Sequence, residues 1–274
     1  MPLPVTTTSA GRPKATLRDA LAASRRPLVG MWVCSGSPVI AEICAGAGLD
    51  WLLIDMEHAP NGLESVLAQL QAVAAYPVIP VVRIPANDPV IIKQVLDLGA
   101  QNLLVPMVAS AAEAESVVAA AHYPPRGRRG VGSALARSAR WNRVDDYLTN
   151  AATYVSILVQ VETAEAVGHA AQIAAVDGID GVFVGPSDPA ASMGLIGQQT
   201  HPDVVAAVRR AFGAVTAAGT PVGVNAFDPV TAEQYLADGA SFILVAADVA
   251  MLARGSESLA SRFIGSSDPG RTGY

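Results

Sequence analysis

Short apolar, β-branched runs alternate along this chain with alanine-rich segments whose apolar positions recur at helical spacing. The runs predict strands at Val29–Val33, Trp51–Asp55, Ile79–Arg83, Asn102–Pro106, Val155–Val161, Gly181–Val184, Val222–Asn225 and Phe242–Val245. The segments between and after them predict helices over Pro38–Ala47, Leu63–Ala75, Pro89–Leu98, Ala111–His122, Ala164–Ala175, Pro202–Ala218, Thr231–Ala237 and Val249–Phe263. Several strands follow the same signal, a glycine at 48, 99, 178 or 239, which suits a left-handed helix cap before the next strand. Repeated strand–helix alternation with short links argues for a parallel α/β fold, and eight repeats is the count that closes a TIM barrel. A doubly wound open sheet is the alternative. It favours a glycine-rich loop after the first strand, and Cys34-Ser35-Gly36-Ser37-Pro38 has one glycine and a proline.

The pattern reads as one barrel domain over residues 16–264, with flexible tails at 1–15 and 265–274 and a short helix Thr16–Ser24 leading in. The N-terminal stretch has a weak likeness to a transit peptide but lacks a strong apolar face, so a plain tail is preferred. One long irregular insert, Tyr123–Thr153, is of the kind that covers active sites or builds interfaces. The 274 residues are 51% hydrophobic and carry a formal net charge of -6, with no basic cluster dense enough for nucleic acid. Arg126, Arg128 and Arg129 form the densest basic group, and it is local. No apolar run is long enough to span a membrane. Cys34 and Cys44 fit no metal or redox spacing and read as buried free thiols, which suits a cytoplasmic protein.

The chemistry lies where the strands end. The second strand runs into Asp55, Glu57 and His58, and histidine is the side chain suited to proton transfer near neutral pH. The third ends at Arg83, which either binds a carboxylate or enolate oxygen or pairs with a rim acid such as Asp55 or Glu57. The fifth carries Gln160 and Glu162. The sixth runs into Gly185-Pro186-Ser187-Asp188, and the seventh ends at Asn225. Glu162 and Asp188 are two carboxylates without histidine or cysteine beside them, a set that suits a hard divalent ion. The competing reading makes Glu162 a helix N-terminal acid and Asp188 the start of a turn. His122, His169 and His201 sit in or at the start of helices and read as structural.

With these residues in view, the chain resembles the HpcH/HpaI metal-dependent (class II) pyruvate aldolases over about Leu28 to Phe263. The likeness rests on long motifs: Ala45 through Asp55 with Glu57-His58-Ala59-Pro60-Asn61, then Asn87-Asp88-Pro89 with Ile92-Lys93-Gln94, Arg129 through Arg137, and Gln160-Val161-Glu162-Thr163. The resemblance implies a (β/α)8 barrel, a homo-hexamer built as a trimer of dimers with the C-terminal helix exchanged, and a place in aromatic catabolism. It implies reversible aldol cleavage of a 4-hydroxy-2-oxo acid, such as 4-hydroxy-2-oxoheptanedioate, to pyruvate and an aldehyde through a metal-stabilised enolate. Glu162 and Asp188 would hold Mg²⁺, Mn²⁺ or Co²⁺. Arg83 would stabilise the enolate oxygen, and His58 would move the proton with Asp97 of a neighbouring subunit as its partner. Trp32, Gln160, Gly185, Pro186, Ser187 and Asp188 would bind substrate. The only lysines, Lys14 and Lys93, lie away from strand ends, which argues against a Schiff base. Relatives commonly carry alanine at position 187, a small residue at Met56 and sometimes an aromatic at Ala86. A sugar-acid aldolase, an acyl-CoA lyase of the citrate-lyase kind and a non-catalytic 2-oxo-acid-binding barrel are the alternatives.

Overall fold

In the computed structural model, which describes residues 14–264, eight parallel strands close into a barrel in sequential order, β1 beside β2 round to β8 beside β1. A lead-in helix α1 (Leu17–Ala23) precedes β1 (Leu28–Val33). The units α2 (Pro38–Ala45), β2 (Trp51–Asp55), α3 (Leu63–Ala72), β3 (Ile79–Arg83), α4 (Pro89–Asp97), β4 (Asn102–Val105) and α5 (Ala111–Ala121) follow. An insert holding the short helix α6 (Tyr147–Asn150) leads to β5 (Ser156–Val161), then α7 (Ala164–Gly168), α8 (Ala170–Ala174) and β6 (Gly181–Val184). The chain closes with α9 (Ser187–Ser192), α10 (Pro202–Ala217), β7 (Val222–Asn225), α11 (Pro229–Ala237), β8 (Phe242–Ala247) and α12 (Asp248–Ile264).

The strands carry side chains to two faces, as the period of two requires. Outward residues such as Leu52, Ile54, Val82, Leu103 and Val159 pack under the helices in one large apolar layer. Inward residues fill the barrel: Trp32, Trp51, Leu53, Val81, Leu104, Leu158, Phe183 and Phe242 form a second cluster, closed below by Leu17 of α1. Space for the large rings comes from glycine. A Cβ on Gly223 would lie 2.2 Å from the Phe242 ring, and one on Gly30 2.7 Å from the Trp51 ring. The cap glycines expected at 48, 99, 178 and 239 all have positive φ, between 87° and 105°.

Three expectations change in detail. The helix expected over Ala164–Ala175 breaks at His169, whose Nδ1 lies 2.9 Å from the Ala109 carbonyl oxygen. Asp188, expected in a loop, lies in the first turn of α9. The insert does not cover this chain's own strand ends. Helix α5 carries the chain back to the opposite face, where Arg137 of the insert donates to the Leu98 carbonyl at the end of α4 (2.9 Å). There Ala139, Val144, Tyr147 and Ala151 make a small core of their own. Of the expected tails, residues 1–13 and 265–274 lie outside the described residues. Lys14 is tied down, its carbonyl accepting from Gln101 Nε2 at 2.8 Å.

Candidate active site

Following each inward alternation one step past the apolar layer gives the site. Trp51 and Leu53 lead to Asp55, Val81 leads to Arg83, and Leu158 leads to Gln160 and then Glu162. Asp55 and Arg83 are register partners on adjacent strands. The guanidinium meets Asp55 side-on, Nε to Oδ1 and Nη2 to Oδ2 both at 2.8 Å, and Nη1 sits 2.9 Å from Glu57 Oε2. Both rim-acid pairings thus occur together. Arg83 also stacks 4.3 Å above the Trp32 ring, which stands edge-on to Phe183 at 6.3 Å. An apolar aromatic floor therefore supports a buried, charge-assisted clamp.

Asp55 also accepts the backbone amides of Glu57 (3.0 Å) and His58 (3.3 Å), which folds the chain sharply after β2. The His58 ring is 69% exposed, and its Nε2 lies 3.9 Å from Glu57 Oε2. Sequence reasoning missed what holds this turn from behind. Asn61 Nδ2 donates to the Asp55 carbonyl (2.6 Å), and Asn61 Oδ1 accepts from Gln69 Nε2 (2.7 Å) and Ser65 Oγ (2.9 Å). Gln69 is fully buried in α3. A polar residue on the apolar stripe marked by Val66, Leu70 and Val73 was the signal available.

Across the barrel mouth, Glu162 is buried, and its two oxygens accept from Gln160 Nε2 and from the Met107 amide (2.7 Å). Met107 reaches that position with φ 55°, an uncommon conformation for a residue with a side chain. Burial, and then the negative charge of Glu57 and Asp188, pushes the Glu162 carboxyl up to about 7, against the pull of the Met107 amide and Arg83. Burial also raises Glu57, opposed by Arg83 and His58. Gly185 keeps the space between these groups open. A Cβ there would lie 3.2 Å from Gln160 Nε2, 3.8 Å from Asn225 Oδ1 and 3.9 Å from Asp188 Oδ2.

Four carboxylates, Asp55, Glu57, Glu162 and Asp188, thus face one arginine at the mouth. Among the described residues no three His, Cys, Asp or Glu side chains form a ready metal cluster. The donor set nonetheless fits a hard cation that keeps positions open: two acidic groups whose charges repel, and a buried Gln160 Oε1 left without a partner. Asp97 is not part of this constellation within one chain. It ends α4 at the opposite face, where Arg129 Nη2 lies 2.6 Å from its Oδ1.

A model of the HpcH/HpaI aldolase/citrate lyase family matches residues 28–254. The chain belongs to that family. A 4-hydroxy-2-oxo-heptane-1,7-dioate aldolase of Salmonella dublin is 54% identical over 250 residues, covering 91% of this chain and 95% of that protein. The crystal structure of an HpcH/HpaI aldolase/citrate lyase family protein from Burkholderia cenocepacia superposes with a TM-score of 0.87 at 41% identity, over 91% of this chain and 99% of that one. An HpcH/HpaI aldolase from Desulfitobacterium hafniense gives a TM-score of 0.81 at 29% identity, over 95% and 100% of the two chains. Like its HpcH/HpaI relatives, the chain is a carbon–carbon lyase of the aldolase kind. No helix of the described residues is long and apolar enough to cross a membrane.

Proposed function

We propose that this aldolase is metal-dependent and cleaves a 4-hydroxy-2-oxo acid reversibly, releasing pyruvate and an aldehyde. The observation that carries the reading is the excess of carboxylates gathered around one buried arginine at the barrel mouth. Glu162 and Asp188 would hold a divalent ion, with Mg²⁺, Mn²⁺ and Co²⁺ as the candidates. When bound, that ion supplies Lewis-acid stabilisation of the negative charge left on the 2-oxo acid as the bond breaks.

The residues of the chain do the rest. Backbone amides of Ser187 and Asp188, beside Gly185 and Pro186, would seat the substrate carboxylate. Gln160 would meet the keto group, and Trp32 would bound the pocket from below. In the cleavage direction His58 takes the proton of the C4 hydroxyl. The C3–C4 bond breaks, C4 becomes the aldehyde carbonyl, and the electron pair passes into the pyruvate unit as its enolate. Arg83 has five N–H donors and gives three of them to Asp55 and Glu57, so two would remain for the developing oxyanion. A proton returned to C3 completes pyruvate. Serine at 187, where the family commonly has alanine, leaves the Asp188 carboxylate available as the second metal ligand of this reading.

We further infer that the working form is a homo-oligomer, with a hexamer as the expected state. Two features support this. Helix α12 is exposed along nearly its whole length, Leu252, Leu259 and Phe263 included, as a helix packing on another copy would be. Asp97 can serve as the partner of His58 only by reaching another copy's site.

The test follows pyruvate methyl protons exchanging into D₂O, and cleavage of the hydroxy-oxo acid, before and after metal removal. Exchange and cleavage should vanish with chelator and return with Mn²⁺, and Glu162→Gln should not respond to added metal. Full turnover in excess chelator would overturn the metal assignment.

A further inference from the structure

The insert between α5 and β5 holds a run of strained backbone. Arg140, Trp141 and Asn142 are consecutive and all left-handed, with φ of 50°, 55° and 61°. Residues other than glycine visit this conformation singly as a rule, so a run of them persists only where the surrounding structure holds it. The run follows a short turn, Arg137–Ala139, whose first carbonyl accepts the Arg140 amide at 2.9 Å. It ends where the Arg143 amide reaches back to the Ala139 carbonyl at 3.1 Å. As a result Arg137 and Arg140 line one small cavity of about 30 Å³, with Ser138, Tyr147 and the chain at Gly99 and Gln101. We propose that this cavity binds a single small inorganic anion of halide size, held by the two guanidinium groups and the Ser138 hydroxyl. The site lies at the end of α4, apart from the carboxylates of the barrel mouth, and does not depend on the aldolase reading.

Charge is the first argument. Burial, and then the neighbouring charge of Arg140, pushes Arg137 down to about 10, and burial lowers Arg140 as well. Both remain cations at neutral pH. Among the described residues no carboxylate offsets either of them. Gln101 of the cavity wall holds the Lys14 carbonyl (2.8 Å), and residues 1–13 beyond it include no aspartate or glutamate. Two half-buried like charges side by side are unfavourable, and one anion between them relieves both.

Donors and size are the second argument. Arg137 gives Nη1 to the Leu98 carbonyl and keeps its other N–H groups. Gly99 allows that close approach, since a Cβ there would lie 2.7 Å from Arg137 Nη1. Ser138 Oγ is buried without a hydrogen-bond partner, so its proton is free to point at an acceptor. Guanidinium and hydroxyl donors converging on one point suit an anion. The cavity exceeds the roughly 10–15 Å³ that one water needs and is too small for an organic acid. A water there would leave both cations without a counter-charge.

The experiment uses the full-length protein and two readouts. Crystals soaked in sodium bromide should show an anomalous peak in the cavity between Arg137 and Arg140. Thermal midpoints are then compared in sodium chloride and sodium gluconate at equal ionic strength, since gluconate is too large to enter. General salt effects cancel between wild type and variant. The chloride-minus-gluconate difference should be higher in wild type than in Arg140→Gln by about 2 °C or more, and should grow with chloride concentration. Ser138→Ala, a gentler change, should reduce the difference in the same direction and serves if Arg140→Gln does not fold. No bromide in the cavity overturns the proposal, as does an acidic side chain of another copy found between the two arginines. A bromide peak with the same salt difference in wild type and variants marks an adventitious ion only and overturns it as well.

Discussion

Arg83 combines two tasks in one planar group. Its side-on pairing with Asp55 and its contact with Glu57 orient it, and its stacking on Trp32 fixes its height above the apolar floor. Lysine carries the same charge but cannot make the fork or stack in this way. Arg83→Lys should therefore lower kcat by about a hundredfold or more, with a smaller change in KM, as expected for loss of an oxyanion donor. Steady-state kinetics on the metal-loaded enzyme check this. A second residue, remote from the chemistry, predicts acid sensitivity. Burial pushes His122 down to about 4, helped by Arg126, Arg129 and Arg18 and opposed by Asp177. The unfolded chain takes up a proton near pH 6.5 and the folded chain does not, so this contribution is whole above pH 6.5 and is lost as pH falls toward 4. The ceiling is about 3 kcal/mol. His122→Gln should flatten the dependence of urea midpoints on pH across that window, and an unchanged slope would remove His122 as its source.

At the scale of elements, the strands were legible because each is a short apolar run bounded by glycine or a polar turn, and all eight lie close to where the pattern puts them. Helix α9 was not, because Ser187-Asp188-Pro189 reads as a turn when the tertiary support of its last residues is unseen. The same limit applies to the break at His169, which depends on a carbonyl sixty residues back in the chain. For the site, His58, Arg83, Gln160, Glu162 and Asp188 could be picked out because strand ends are where polar residues need a reason. Which acid holds Arg83 could not be read, since both do, and the answer lies in the register of β2 against β3. The Gln69–Asn61 brace predicts an effect of its own. Gln69→Leu keeps the volume but removes the donor to Asn61, so the β2 turn carrying His58 should loosen. The expected result is a several-fold loss in kcat, with pyruvate KM little changed and the far-UV spectrum intact. Equal losses in kcat and thermal stability would mark Gln69 as structural only.

At the scale of the molecule, one chain holds two halves of different sites if Asp97 acts across an interface. Its own α4 places it on the face opposite His58. His58→Ala and Asp97→Ala should each be inactive alone. Mixed under conditions that exchange subunits, they should regain activity, because some sites then pair an intact His58 with an intact Asp97. Failure to recover activity in mixed oligomers of demonstrated composition would confine the catalytic groups to one chain.

The pairing of Asp55 with Arg83 across neighbouring strands bears on how the barrel assembles without error. A slip of one residue between β2 and β3 would turn a guanidinium or a carboxylate out among the apolar side chains under the helices. Unpaired charge there is strongly disfavoured. The Asp55–Arg83 pair thus favours the native alignment of β2 against β3 over a register shifted by one residue, in addition to any part it takes in the proposed site.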